Sequence, residues 1–158
     1  MRVQSLTIQH QRLKRLIEEV KDIHPLQFEL RAHWAKYLCV LSAGFLENAI
    51  KEVYSNYARA SSNNNVAKFV ESKLNNIQNP KSSRFTETAG HFNKEWQQSL
   101  EEFLTLDGNG SAIDAIVSNR HLIAHGKNSD ITLARIVEYL EKSIKVIDFI
   151  EDQCKNRT

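Results

Sequence analysis

Apolar residues along this chain recur every three or four positions rather than every second one, which predicts helices almost throughout. Leu6, Leu13, Leu16, Ile17 and Val20 make one face of a helix over Ser5 to Ile23, and Pro25 marks its end. A long helix is expected from Phe28 to Ala60, striped by Trp34, Leu38, Leu41, Phe45, Ala49 and Val53. Val40, Tyr54 and Tyr57 lie off that stripe, as in a helix contacted on more than one side at the centre of a bundle. The run "SSNNN", Ser61 to Asn65, stops it, because short polar side chains compete for backbone hydrogen bonds.

The middle of the chain is less regular. It reads as a short helix over Val66 to Ile77, a break at "QNPKSS" (Gln78 to Ser83), and one or two helices between Phe85 and Leu104. "LDGNGS", Leu106 to Ser111, is expected to be a loop. A helix then runs from Ser111 to Ala124 or His125 and stops at Gly126, a natural left-handed cap. Ser129 is the expected cap of a final helix faced by Leu133, Ile136, Val137, Leu140, Ile144 and Ile147. The short turn makes the last two helices antiparallel neighbours. The expected fold is therefore all-α, an antiparallel bundle of about five to seven helices, in a single domain over residues 1–158.

Composition leaves that picture intact. With 41% hydrophobic and 25% charged residues, the chain can build a core without staples. A net charge of +2 is far from that of a protein coating nucleic acid, so any such contact must be local. Cys39 and Cys154 form no metal-ligand or redox pattern, and each is expected to pack as a small apolar residue in a reduced, cytoplasmic setting. Charged residues interrupt the first twenty positions, and no apolar run is long enough to span a membrane.

One stretch departs from the pattern. In "SNRHLIAHG", Ser118 to Gly126, a helical wheel puts Ile116, Val117, Arg120 and Ala124 within about 60° of Ile113. A permanently charged guanidinium thus sits on the apolar stripe, where it needs a partner or a wet cavity. His121 and His125, four apart, share one side of the helix, and His125 falls in the last turn, where the helix C-terminus favours a cation. A structural Arg120, bonded to Glu47 or to helix-end carbonyls, accounts for the placement as well as a functional one. The histidine spacing also suits a metal clamp, but no Glu lies between them and no third ligand is evident. Leu122, apolar on the opposite side, hints at a second protein surface.

Arginine, a polar residue, then histidine near the end of a penultimate helix resembles the motif of the HEPN superfamily. "RHLIAH" supplies Arg120, His121 and His125, with four residues between the arginine and His125. "LCVLSAGFLENAIKEVY" (Leu38 to Tyr54) and "AIVSNRHLIAHG" together resemble the RiboL-PSP-HEPN group over roughly Ala32 to Asp152. The resemblance implies a metal-independent endoribonuclease that requires no cofactor. RNA brings its own nucleophile, so the protein need only move the 2′-hydroxyl proton and stabilise charge on phosphorus. It further implies His125 as general base or acid, Arg120 as the phosphate clamp, and His121, Asn119 and Glu47 as supporting residues. Lys127, Lys142 and Lys145 are candidates for guiding RNA. Family members commonly pair through these helices, so a homodimer with a shared cleft is expected.

The rival expectation is a non-catalytic interaction module, with an antitoxin or a nucleotidyltransferase-like protein as partner and a role in toxin-antitoxin or defence systems. A small-ligand or nucleotide-binding bundle is a third class, but no glycine-rich phosphate loop supports it.

Overall fold

A computed structural model describes residues 1–155, so the last three residues of the expected domain lie outside the described ones. Among the described residues there are seven α-helices and no strand: α1 (Gln4–Lys21), α2 (Phe28–Ser61), α3 (Asn64–Leu74), α4 (Ser82–Phe92), α5 (Lys94–Thr105), α6 (Asn109–Ala124) and α7 (Leu133–Lys155). The all-α bundle read from the periodicity is the observed architecture.

α2 is the axis. Its 34 residues extend about 51 Å at 1.5 Å per residue, and α1, α3, α6 and α7 all pack against it. Leu38, Leu46, Ala49, Ile50 and Tyr54 of α2 are sealed from solvent, as are Ile113 and Ile116 of α6 and Ile147 and Ile150 of α7. Tyr54 belongs to this core although it lies off the main stripe, and it stacks on Phe92 with ring centroids 4.9 Å apart. Burial of such large side chains contributes roughly 1.5 to 3 kcal/mol each, which holds a long helix at the centre.

The breaks follow local chemistry. At the end of α2, the Ser62 hydroxyl donates to the Ala58 carbonyl at 2.7 Å, and the Asn63 side chain accepts from the Val66 N–H at 3.0 Å to start α3. Asn93 alone separates α4 from α5, accepting from the N–H groups of Glu95 and Trp96. The loop expected over Leu106 to Ser111 is shorter than that: residues 106–108 form a tight three-residue turn, and α6 begins at Asn109. Left-handed Asp107 and Gly108 (φ 51° and 71°) reverse the chain within two residues, which frees Gly110 to be helical.

α7 also differs in its cap. The Thr132 hydroxyl, not that of Ser129, accepts from the Arg135 N–H at 3.2 Å, as an N-cap does. Both cysteines are free. Burial pushes the Cys39 thiol up to about 11 and the Cys154 thiol up to about 12, so both stay protonated and inert at neutral pH. Among the described residues no helix is long and apolar enough to cross a membrane.

Candidate functional site

The site is built on the C-terminal half of α6. Ile116 anchors it: its carbonyl accepts from the Cys39 thiol of α2 at 3.4 Å, and the Arg120 backbone N–H also faces that sulfur. The turn carrying Arg120 is thereby pinned to the central helix. The Arg120 side chain is half-buried, and among the described residues its guanidinium takes no hydrogen bond or ion pair. Neither structural partner expected for it is in place.

Glu47 lies close enough for Arg120 to act on it electrostatically, but both its oxygens are committed elsewhere. Oε1 accepts from Lys51 Nζ at 2.9 Å, and Oε2 accepts from the Asn79 backbone N–H at 2.9 Å. Partial burial raises the Glu47 carboxyl, but Asn79, Lys51 and Arg120 together outweigh it and hold the group below its ordinary value.

α6 ends in the geometry its glycine suggested. The Gly126 N–H donates to the Ile123 carbonyl at 3.2 Å, and the Lys127 N–H donates to the Leu122 carbonyl at 2.9 Å, with Gly126 at φ 64°. This is a Schellman cap, and it turns the chain away directly after His125. His121 and His125 are both exposed, with ring centroids 4.4 Å apart and planes tilted by 54°. Ala124, placed on the buried stripe by the wheel, is exposed instead, while Ile123 before it packs against the core.

Asn119 braces this end. Its Nδ2 donates to the Ala115 carbonyl at 2.8 Å, and its Oδ1 accepts from the Ser129 hydroxyl at 2.8 Å, tying α6 to the α6–α7 connection. Lys127 is exposed at the tip beside His125. Lys142 and Lys145 are not brought to this end. Lys142 pairs with Glu138 at 2.9 Å and stands beside Gly108, so α6, with 16 residues, separates it from His125 by about 24 Å. Lys145, one turn further along α7, is more distant still.

The structure adds residues that sequence reasoning passed over. A groove of about 480 Å³ beside α6 is lined by Asn79, Lys81, Val117, Ser118, His121 and Leu122. Asn79 and Lys81 come from "QNPKSS", which reads in sequence only as a break. The i, i+4 spacing of Glu47 and Lys51 was the one available sign of their pairing. Leu122, half-buried, lines this groove. Among the described residues no group of three or more His, Cys, Asp or Glu converges as a metal site.

An all-helical bundle in which an arginine, a following histidine and a second histidine close the penultimate helix defines a protein of the HEPN superfamily. The RiboL-PSP-HEPN family model matches residues 9–156, nearly the whole chain, and the chain belongs to that family. No curated protein and no solved structure matches it.

Proposed function

We propose that this protein is an endoribonuclease that cleaves RNA without a metal ion, in a cleft shared by two copies of the chain. The observation that carries the reading is the unpartnered, half-buried guanidinium of Arg120 beside two exposed histidines. A charge in that position is costly to leave unsatisfied, and a phosphodiester brought against it would supply the missing acceptor. Membership of a superfamily in which ribonucleases are common supports the same reading.

In the reaction the 2′-oxygen of RNA attacks the adjacent phosphorus, forming the P–O2′ bond while the P–O5′ bond breaks. One His125 takes the 2′-hydroxyl proton, and a second His125, from the other copy, gives a proton to the departing 5′-oxygen. Arg120 holds the non-bridging oxygens as negative charge builds on them. His121 orients the neighbouring ring, and Asn119 steadies the helix end. The products are a 2′,3′-cyclic phosphate and a 5′-hydroxyl.

An exposed apolar stripe on α2, bordering α1, supports pairing of two copies. Leu30, Tyr37 and Val40 are 43%, 50% and 38% exposed on one side of α2, and the space a Gly44 side chain would fill is open. Apolar residues at this spacing on a helix are suited to a second helix, and the stripe continues toward Glu47. The test is cleavage of single-stranded RNA in excess EDTA with analysis of the ends produced; loss of cleavage on chelation contradicts the reading.

A non-catalytic interaction module remains a second reading because of a different feature. An apolar groove of about 480 Å³ between α2, α3 and α4 is lined by Val66, Phe69, Val70 and Phe92, with Phe69 63% exposed. A protein partner would bury it.

A further inference from the structure

The segment from Asn79 to Ser82 is more than a linker between α3 and α4. It is fastened at both ends by carboxylates from different helices. Glu47 of α2 accepts the Asn79 N–H at 2.9 Å. At the other end Asp114 of α6 accepts the Ser82 N–H at 2.7 Å and the Ser82 hydroxyl at 3.0 Å. Within the clamped segment, Pro80 is buried and Asn79 holds a left-handed conformation, φ 46°. Proline fixes one backbone angle and asparagine tolerates the other, so four residues are locked with little freedom left to lose.

The only side chain this clamp presents to solvent as a cation is Lys81. It is exposed, it has no hydrogen bond or ion pair among the described residues, and it forms one wall of the groove whose other wall carries His121. That α6 wall is partly apolar, with Val117 buried and Leu122 half-buried beside Ser118. A cation on a rigid arm, an apolar wall and an amide side chain make a site for one nucleotide: phosphate on the lysine, sugar or base on the apolar wall, and a polar edge for Asn79.

We infer that this groove holds the nucleotide next to the cleavage point, with Lys81 binding a phosphate other than the one that reacts. Leu122 then has a role within one protomer, as the surface against which that nucleotide lies. Glu47 and Asp114 are positioning residues, acting on RNA only through the segment they fasten. The inference rests on the RNA-cleaving reading of Arg120 and His125, which supplies the substrate class.

The experiment measures binding and cleavage separately. Binding of a fluorescent single-stranded RNA is followed by anisotropy across a salt series in a His125→Ala background, with Lys81→Ala, Lys81→Arg and, as a charge-matched control on α1, Lys14→Ala. Lys81→Ala is expected to weaken binding about fivefold to tenfold and to reduce the salt slope by about 0.7, the value for one phosphate contact on a single strand. Lys81→Arg retains binding, and Lys14→Ala changes neither quantity. In the cleaving protein Lys81→Ala raises KM and leaves kcat nearly unchanged. Equal affinity and slope for the Lys81→Ala and Lys14→Ala proteins overturn the groove, even where Arg120 and His125 prove essential for cleavage. A Lys81-dependent binding in a protein that cuts no RNA retains the groove and removes the cleavage reading.

Discussion

The imidazoles of His121 and His125 lie against each other across one turn of α6, with centroids 4.4 Å apart and planes tilted by 54°. Two rings this close share their surroundings, so replacing either alters the other, and the two substitutions must be compared. His125→Ala should lower kcat by about 10²- to 10⁴-fold, as expected for a lost proton-transfer group. His121→Ala should lower it roughly tenfold, through orientation alone. Single-turnover cleavage assays on both variants, with circular dichroism confirming the fold, check this order; a reversed order moves the proton transfer to His121.

The shared cleft can be tested without touching α6. Val40→Asp puts a charge into the exposed stripe of α2 and should convert dimer to monomer in sedimentation, with cleavage falling in parallel. Leu106→Asp, a control at another exposed apolar position (57% exposed), should leave both unchanged. A monomeric variant that still cleaves at the full rate would mean one copy suffices.

Asn119 ties the C-terminal end of α6 to the segment that follows it. Asn119→Ala removes the Ala115 and Ser129 bonds together, and should cost about 1 to 2 kcal/mol in stability. Denaturant unfolding of Asn119→Ala, Ser129→Ala and the double variant checks the coupling. The pair predicts a double-variant loss smaller than the sum of the singles.

Because Glu47 is held below its ordinary value in the folded protein, its clamp contributes fully above the normal carboxylate range. The contribution is lost as the pH falls through the depressed value, since the unfolded chain takes up the proton first. Glu47→Gln should therefore lower Tm at neutral pH, and the gap to the unsubstituted protein should close in acid. A gap that stays constant with pH would contradict the ionised clamp.

The fold was largely legible because the helical period is strong where burial is strong. Leu6, Leu13 and Val20 of α1, like Ile136, Leu140 and Ile147 of α7, are buried as their spacing predicts. Misreadings arose where a few residues decide the outcome. Asp107 and Gly108 reverse the chain so tightly that six apparent loop residues shrink to a three-residue turn, and Thr132 displaces Ser129 as the cap. At the site, the motif residues were readable because Arg120, His121 and His125 lie within six positions on one helix. Asn79, Lys81 and Asp114 were not, because contacts between helices far apart in sequence leave no periodic trace. The position of Lys142 beside Gly108 was hidden for the same reason: charge shows in sequence, whereas the end of the hairpin it occupies does not.

Arg120 is where the account is most exposed. The direct measurement is the rate of single-stranded RNA cleavage in EDTA by the unsubstituted protein and by Arg120→Ala, with product ends identified and with folding and oligomeric state verified for both. The prediction is EDTA-resistant cleavage leaving 2′,3′-cyclic phosphate ends, reduced at least about 10²- to 10³-fold in the variant, as for loss of a charge-stabilising group. Equal rates for the two proteins, or cleavage abolished by chelation, would contradict it.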